Sequence, residues 1–193
     1  MYRMNNILDL TNHLSIGYNN AINDQFSAIC SPLFESFPIT NFFYIRLFEN
    51  GSFLYLCNDK KWVMNYIQNN FQDDPVHLKS YYPSDAGYSL WAGFKRDNVY
   101  SAIYDFNIWN GFNVYEKQSD NSLVVYAFGS TPLNEEMNNF YINNIDVIKS
   151  FIFYFKEKSS FINNFEDYKL IISKSLSSQD LVTEGTNNVR EFY

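Results

Sequence analysis

Phe42-Phe-Tyr-Ile-Arg-Leu-Phe-Glu-Asn-Gly-Ser-Phe-Leu-Tyr-Leu-Cys57 is the stretch on which the fold turns. Two runs rich in aromatic and aliphatic residues, 42–48 and 52–57, flank Glu49-Asn50-Gly51. An Asn-Gly pair adopts positive φ at little steric cost, so the stretch predicts a β-hairpin. Upstream, Ile22, Phe26, Ile29, Leu33 and Phe37 recur at helical spacing within 19–37, and Pro38 stops the element. Downstream, residues 59–71 predict a second helix on which Trp62 and Tyr66, at i and i+4, share one face.

Residues 73–93 contain Pro75, Pro83, Gly87 and Gly93 and read as a long loop with a short strand near 88–91. Loops of that length in compact domains are commonly lids or binding loops. Asp97 is placed to cap a helix running to about Phe106. Gly111-Phe-Asn-Val-Tyr-Glu116 and Leu123-Val-Val-Tyr-Ala-Phe128 then flank a polar Ser-Asp-Asn-Ser turn, a second antiparallel hairpin. From about Leu133 to Glu157 the apolar set Met137, Tyr141, Ile145, Ile148, Phe151, Ile152 and Phe155 predicts one long helix. Ile142, Phe153 and Tyr154 lie on its other side, which predicts a symmetric homodimer through that surface.

The order helix, hairpin, helix, long loop, helix, hairpin, long helix predicts an α+β chain. Its central antiparallel sheet is covered by helices on both faces, the α-β-α sandwich of PAS-like and GAF-like sensor modules. Residues 1–16 read as a leader, 17–174 as one domain and 175–193 as a polar tail without period.

The chain has 193 residues, 46 % hydrophobic and 20 % aromatic, enough for one core without disulfides or metals. Its net charge is −7 with 14 Lys and Arg in no cluster, so no DNA binding is expected of this chain alone. Cys30 and Cys57 stand beside apolar Ile29 and Leu56 and read as buried thiols in a reducing, cytoplasmic setting. Neither a secretory leader nor an apolar run of membrane-spanning length is present, so no membrane is expected as a partner.

Catalytic patterns are sparse. His13 and His77 are the only histidines, and no phosphate-cradling glycine loop, paired-cysteine spacing or zincin helix occurs. Asp73 and Asp74 are neighbours in a loop, an arrangement that favours two solvated carboxylates over an acid and base pair. The chain is therefore expected to be no enzyme and to need neither cofactor nor metal. A binding site is better supported. Asp74 follows Tyr66 by eight residues, and Pro75 pushes it out of helical conformation, which leaves its carboxylate free to point back across the pocket of Trp62 and Tyr66. An aromatic pair with a carboxylate is the chemistry that holds a small polar ligand in an apolar pocket. The plainer reading makes Trp62 and Tyr66 core aromatics and Asp74 a turn cap.

Trp62-x3-Tyr66, Asp74-Pro75-Val76, Trp91 and Phe106-x4-Gly111, in that order, resemble the autoinducer-binding domain of LuxR-type quorum-sensing transcription regulators over roughly residues 17–160. The strongest part is Asn98-Val-Tyr-Ser-Ala-Ile-Tyr-Asp-Phe-Asn-Ile-Trp-Asn-Gly-Phe-Asn-Val114, a helix running into a glycine-marked strand start at Gly111. The resemblance implies that Trp62 donates to a lactone carbonyl, that Asp74 accepts from a ligand amide, and that Tyr66 and Trp91 pack around an acyl-homoserine lactone or another amphipathic signal. Asp73 competes for the Asp74 role, because the spacing from Tyr66 is one residue shorter than usual in the family. Three departures stand out: Asn58 replaces a tyrosine four residues before the tryptophan, Ala127 replaces a hydroxyl residue, and Asn107 replaces a glycine. The family's helix-turn-helix has no counterpart in 158–193, which fits the sensor half of a longer regulator or a stand-alone sensor. The rival expectation is a protein-interaction module that keeps the sandwich and fills its pocket with Phe and Tyr.

Overall fold

Residues 22–49, 53–69, 71, 85–94, 98–164 and 171–172 are described by a computed structural model. In chain order they form α1 (22–36), β1 (Asn41–Leu47), β2 (Phe53–Cys57), α2 (Lys60–Gln68), β3 (Ala86–Leu90), α3 (Asn98–Asp105), β4 (Trp109–Lys117), β5 (Leu123–Ser130), α4 (Met137–Asn143), α5 (Ile145–Lys158) and β6 (Ile171–Ile172). Short 3₁₀ turns occupy Trp91–Gly93 and Ser160–Asn164. The sheet order is β3-β4-β5-β1-β2-β6, with every pair antiparallel.

Both predicted hairpins are present. β1 pairs β2 with Leu47 opposite Phe53, and β4 pairs β5 with Lys117 opposite Leu123. Asn50 and Gly51, which the first turn requires, lie outside the described residues. The near-continuous apolar text of β1 and β2 follows from burial on two sides. Side chains alternate across a strand, so a sheet covered on both faces needs apolar residues at odd and even positions alike. Phe42, Tyr44, Leu54 and Leu56 enter a core with α1, α4 and α5, whereas Phe43, Ile45, Phe53, Tyr55 and Cys57 enter a second core with α2 and α3. The chain is thus an α-β-α sandwich.

The first core is built on Phe42, whose ring stands 5.6 Å from Phe26, 5.1 Å from Phe128 and from Phe151, and 5.0 Å from Phe155. At the end of this layer Arg46 bonds Asp120 at 2.7 Å and Ser122 at 2.9 Å, and Lys156 bonds Glu116 at 2.6 Å, closing the sandwich with charge where the apolar residues stop.

The long helix predicted over 133–157 is two helices. Asn144 separates α4 from α5 at φ −121° and ψ 32°, and its side-chain amide donates to the Phe140 carbonyl at 2.8 Å. Asparagine competes in this way for backbone partners that a helix would use. The apolar period survives because both helices bury the same side: Met137 and Tyr141 in α4, then Ile148, Phe151, Ile152 and Phe155 in α5. Leu133 precedes them, exposed in a turn. On the outer side Ile142 and Phe153 are 59 % and 65 % exposed, while Tyr154 packs partly against the core. Gly111 is the third residue of its strand, which starts at Trp109, and the strand expected near 88–91 ends at Leu90. β6 was not anticipated, since two residues carry no period; they pair with Phe53 and Leu54. No helix among the described residues is long and apolar enough to cross a membrane.

Candidate functional site

Asp59 starts α2. Its carboxylate accepts from the backbone N–H groups of Lys61 at 2.9 Å and Trp62 at 3.1 Å, satisfying two donors that a helix start leaves open. The helix then lays Trp62, Val63 and Tyr66 on the sheet. Asp59→Ala is expected to lower stability by about 1 kcal/mol. Urea denaturation with an unchanged midpoint would contradict the cap's role in seating this helix.

Between the sheet and α2 and α3 lies a cavity of about 40 Å³. Its floor is two adjacent cross-strand rows. Phe43, Ala127 and Asn113 stand side by side on β1, β5 and β4, and Ile45 stands beside Tyr55 on β1 and β2. Its roof is Tyr66 from α2, Val99, Tyr100 and Ile103 from α3, and Trp91 from the 3₁₀ turn. Space remains over the floor where Ala127 offers only a methyl group between Phe43 and Asn113.

Two indoles are engaged inside the protein. Trp91 Nε1 donates to Asn113 Oδ1 at 2.8 Å, and Asn113 Nδ2 donates to Ser89 Oγ at 3.3 Å. Trp62 Nε1 donates to the Tyr55 hydroxyl at 2.7 Å. The Tyr55 ring lies flat on Tyr66, with centroids 4.5 Å apart and planes 10° apart. Burial pushes the Tyr55 hydroxyl well above its ordinary pKa, more than the Trp62 hydrogen bond offsets, so it is neutral at physiological pH.

The residues predicted from sequence fall in different places. Tyr66 and Trp91 line the cavity together. Trp62 is fully buried but does not line it, standing behind Tyr55 among Tyr66, Phe71 and Phe106. Asn58 is elsewhere: its side chain accepts from Phe42 N at 2.8 Å and donates to Thr40 O at 3.0 Å, tying the start of β1 to the end of β2 beside an open surface depression. There it clamps backbone to backbone. Asp73, Asp74, His13 and His77 lie outside the described residues. Gly111 lies under the Trp91 ring, which a Cβ atom at that position would meet.

Asn113 was missed. It is 1 % exposed, a polar residue on the inward parity of β4 that also carries Trp109 and Tyr115. A buried polar side chain in an otherwise apolar row was the available signal.

A cavity needs roughly 10–15 Å³ for each water, so this one holds about three waters or a fragment of similar size. Sites for drug-sized ligands start near 300 Å³. None of the ten described residues that line it is charged. The chemistry on offer is aromatic contact around one amide, suited to a neutral ligand, and no group of His, Cys, Asp or Glu among the described residues is arranged to hold a metal.

No family model and no curated protein matches the chain. Among solved structures it is similar to Escherichia coli SdiA crystallised in space group P6522, with a TM-score of 0.47 and 12 % identity over 77 % of this chain and 66 % of that one. A second, SdiA in complex with octanoyl-rac-glycerol, gives a TM-score of 0.43 and 10 % identity over 93 % of this chain and 78 % of that one. Likeness of this degree transfers no residue and no activity.

Proposed function

We propose that the chain is a small-molecule-sensing domain of LuxR type, without catalytic activity, that reports ligand occupancy through a dimer. The observation that carries this reading is the interior cavity between sheet and helices, where Tyr66 and Trp91, drawn from distant parts of the sequence, meet over the amide of Asn113. The order of motifs from Trp62 to Gly111 supports the same reading. The ligand this site suits is neutral and mostly apolar, with one group that a carboxamide recognises. Exposed Ile142 and Phe153 support self-association through the outer helical layer. A net charge of −7 supports a chain that leaves DNA contact to other polypeptide.

A second reading, a protein-interaction module with a filled pocket, is favoured by the volume of only about 40 Å³ and by the internal engagement of both indoles. Native mass spectrometry of protein purified from its own host without denaturation separates the two. Sensing predicts a dimer carrying a discrete mass excess of a small molecule that is released on unfolding. An apo protein that stays apo in host extract would replace the sensor with the interaction module.

A further inference from the structure

Tyr55 is held as a bound ligand would be held. Its hydroxyl oxygen accepts the Trp62 indole hydrogen at 2.7 Å. Its face stacks on Tyr66 at 4.5 Å, and its ring meets Phe43 at 6.1 Å with planes 60° apart. The same ring borders the residual cavity. A flat π surface, an N–H donor aimed at an oxygen and an aromatic edge are together the contacts that a free phenol needs. Trp62, itself fully buried, would have no acceptor from this ring if the side chain were absent.

We infer that Tyr55 is the specificity-determining residue of this cavity, an internal occupant whose side chain fills a phenol-shaped subsite between Tyr66 and Trp62 and so limits what else can bind. The inference rests on reading the cavity as a ligand site and says which side chain closes part of it. Emptied of the Tyr55 side chain, the subsite takes a neutral planar ring bearing a hydroxyl or carbonyl oxygen, the oxygen seated on the Trp62 indole and the ring on Tyr66. Rings that lack the oxygen gain the stacking but leave the indole hydrogen unbonded, which in a buried place is penalised. Charged rings are disfavoured by the uncharged residues among the described lining.

Chemical complementation tests this. The Tyr55 side chain detached from its backbone is 4-methylphenol, so Tyr55→Ala is expected to melt below the native protein and to recover when that compound is added. A rise of about 3–6 °C is expected at ten times the dissociation constant. Toluene, of the same shape without the oxygen, should recover less, and the native protein should respond to neither. Tyr55→Val, a better strand former, serves as the second variant should the alanine protein fold poorly. Absence of stabilisation by 4-methylphenol in both variants overturns the inference, as does an equal response of the native protein. The sensor reading fails separately: variants that take up 4-methylphenol while the native protein carries no host ligand would leave the subsite standing and remove the sensor. A host ligand on the native protein with both variants unresponsive would do the reverse.

Discussion

The domain is expected to lose its tertiary structure as pH rises above about 10, with its buried tyrosines ionising in the same step. Burial raises the pKa of four hydroxyls, Tyr44 to about 12 and Tyr55, Tyr126 and Tyr141 upward as well. Tyr126 is raised further by the Glu116 carboxylate beside it, while the Arg46 guanidinium pulls Tyr44 and Tyr126 back only in part. The thiols of Cys30 and Cys57 are raised by burial too. A group whose pKa is higher in the folded state contributes stability that is complete below its unfolded pKa and is lost as pH rises toward the folded value. The cysteines therefore begin the loss near pH 9, their unperturbed value, and the tyrosines add to it from pH 10.

Each such group weakens folding about tenfold per pH unit once past its unfolded pKa. Two thiols and four phenols act together in this direction, so the loss steepens as pH rises past their unfolded values and works against the roughly 10³–10⁸ folding constants of ordinary domains. Circular dichroism followed with absorbance near 295 nm from pH 8 to 12 reads the outcome. Exposed tyrosines such as Tyr88 and Tyr104 ionise without unfolding, whereas the buried ones are expected to ionise only in the step in which circular dichroism is lost. Ionisation of all 16 tyrosines with the fold intact would mean that the phenols of both cores reach water, and the two-layer burial would be wrong.

How much of this was written in the sequence follows from how local each cause is. The first hairpin was legible because strand, turn and strand are contiguous and each uses a local preference of its own residues. The helical face shared by Trp62 and Tyr66 was equally local, and both rings are buried 6.0 Å apart. What those rings do is another matter. In Leu54-Tyr55-Leu56 a tyrosine looks like any core aromatic, and that its hydroxyl would meet an indole seven residues later depends on how α2 lies on β2. Asn113 and Ala127 come together only through the β4–β5 register, and that register is altered by the irregularity between Trp109 and Phe112. The break at Asn144 was hidden because the apolar period runs on through it. Asp74, on which the sequence reading leaned most, lies outside the described residues, so the candidate site rests on Tyr66, Trp91 and Asn113.

The contact between Gly111 and Trp91 couples the fold to that site, and it makes Gly111→Val the substitution expected to do most damage. A Cβ atom on Gly111 would lie 2.2 Å from Trp91 Cδ2, 2.4 Å from Cε2 and 2.5 Å from Cε3, so the fused edge of the indole rests directly on the glycine backbone. Backbone retreat is blocked. Gly111 lies in the irregular stretch between Trp109 and Phe112, but Phe112 beside it is paired on both sides, to Leu90 of β3 and to Phe128 of β5. The preceding residue, Asn110, sits at φ 43° with its side-chain amide donating to the carbonyls of Thr131, Pro132 and Asn134 at 2.9, 3.1 and 3.0 Å. The indole must move instead. Moving it breaks the 2.8 Å bond to Asn113, disturbs contacts with Phe43, Tyr100 and Trp109, and takes one wall from the cavity. Overpacking and a buried amide that loses its partner together are expected to lower stability by about 3–5 kcal/mol, with Gly111→Ala not far behind. Urea denaturation gives the size, and a double-mutant cycle gives the cause. Trp91→Leu removes the fused ring, so Gly111→Val in that background should be milder than in the native protein by more than the roughly 0.5 kcal/mol scatter of independent sites. Equal penalties in the two backgrounds would place the strain in the β4 strand itself and would detach Gly111 from the site.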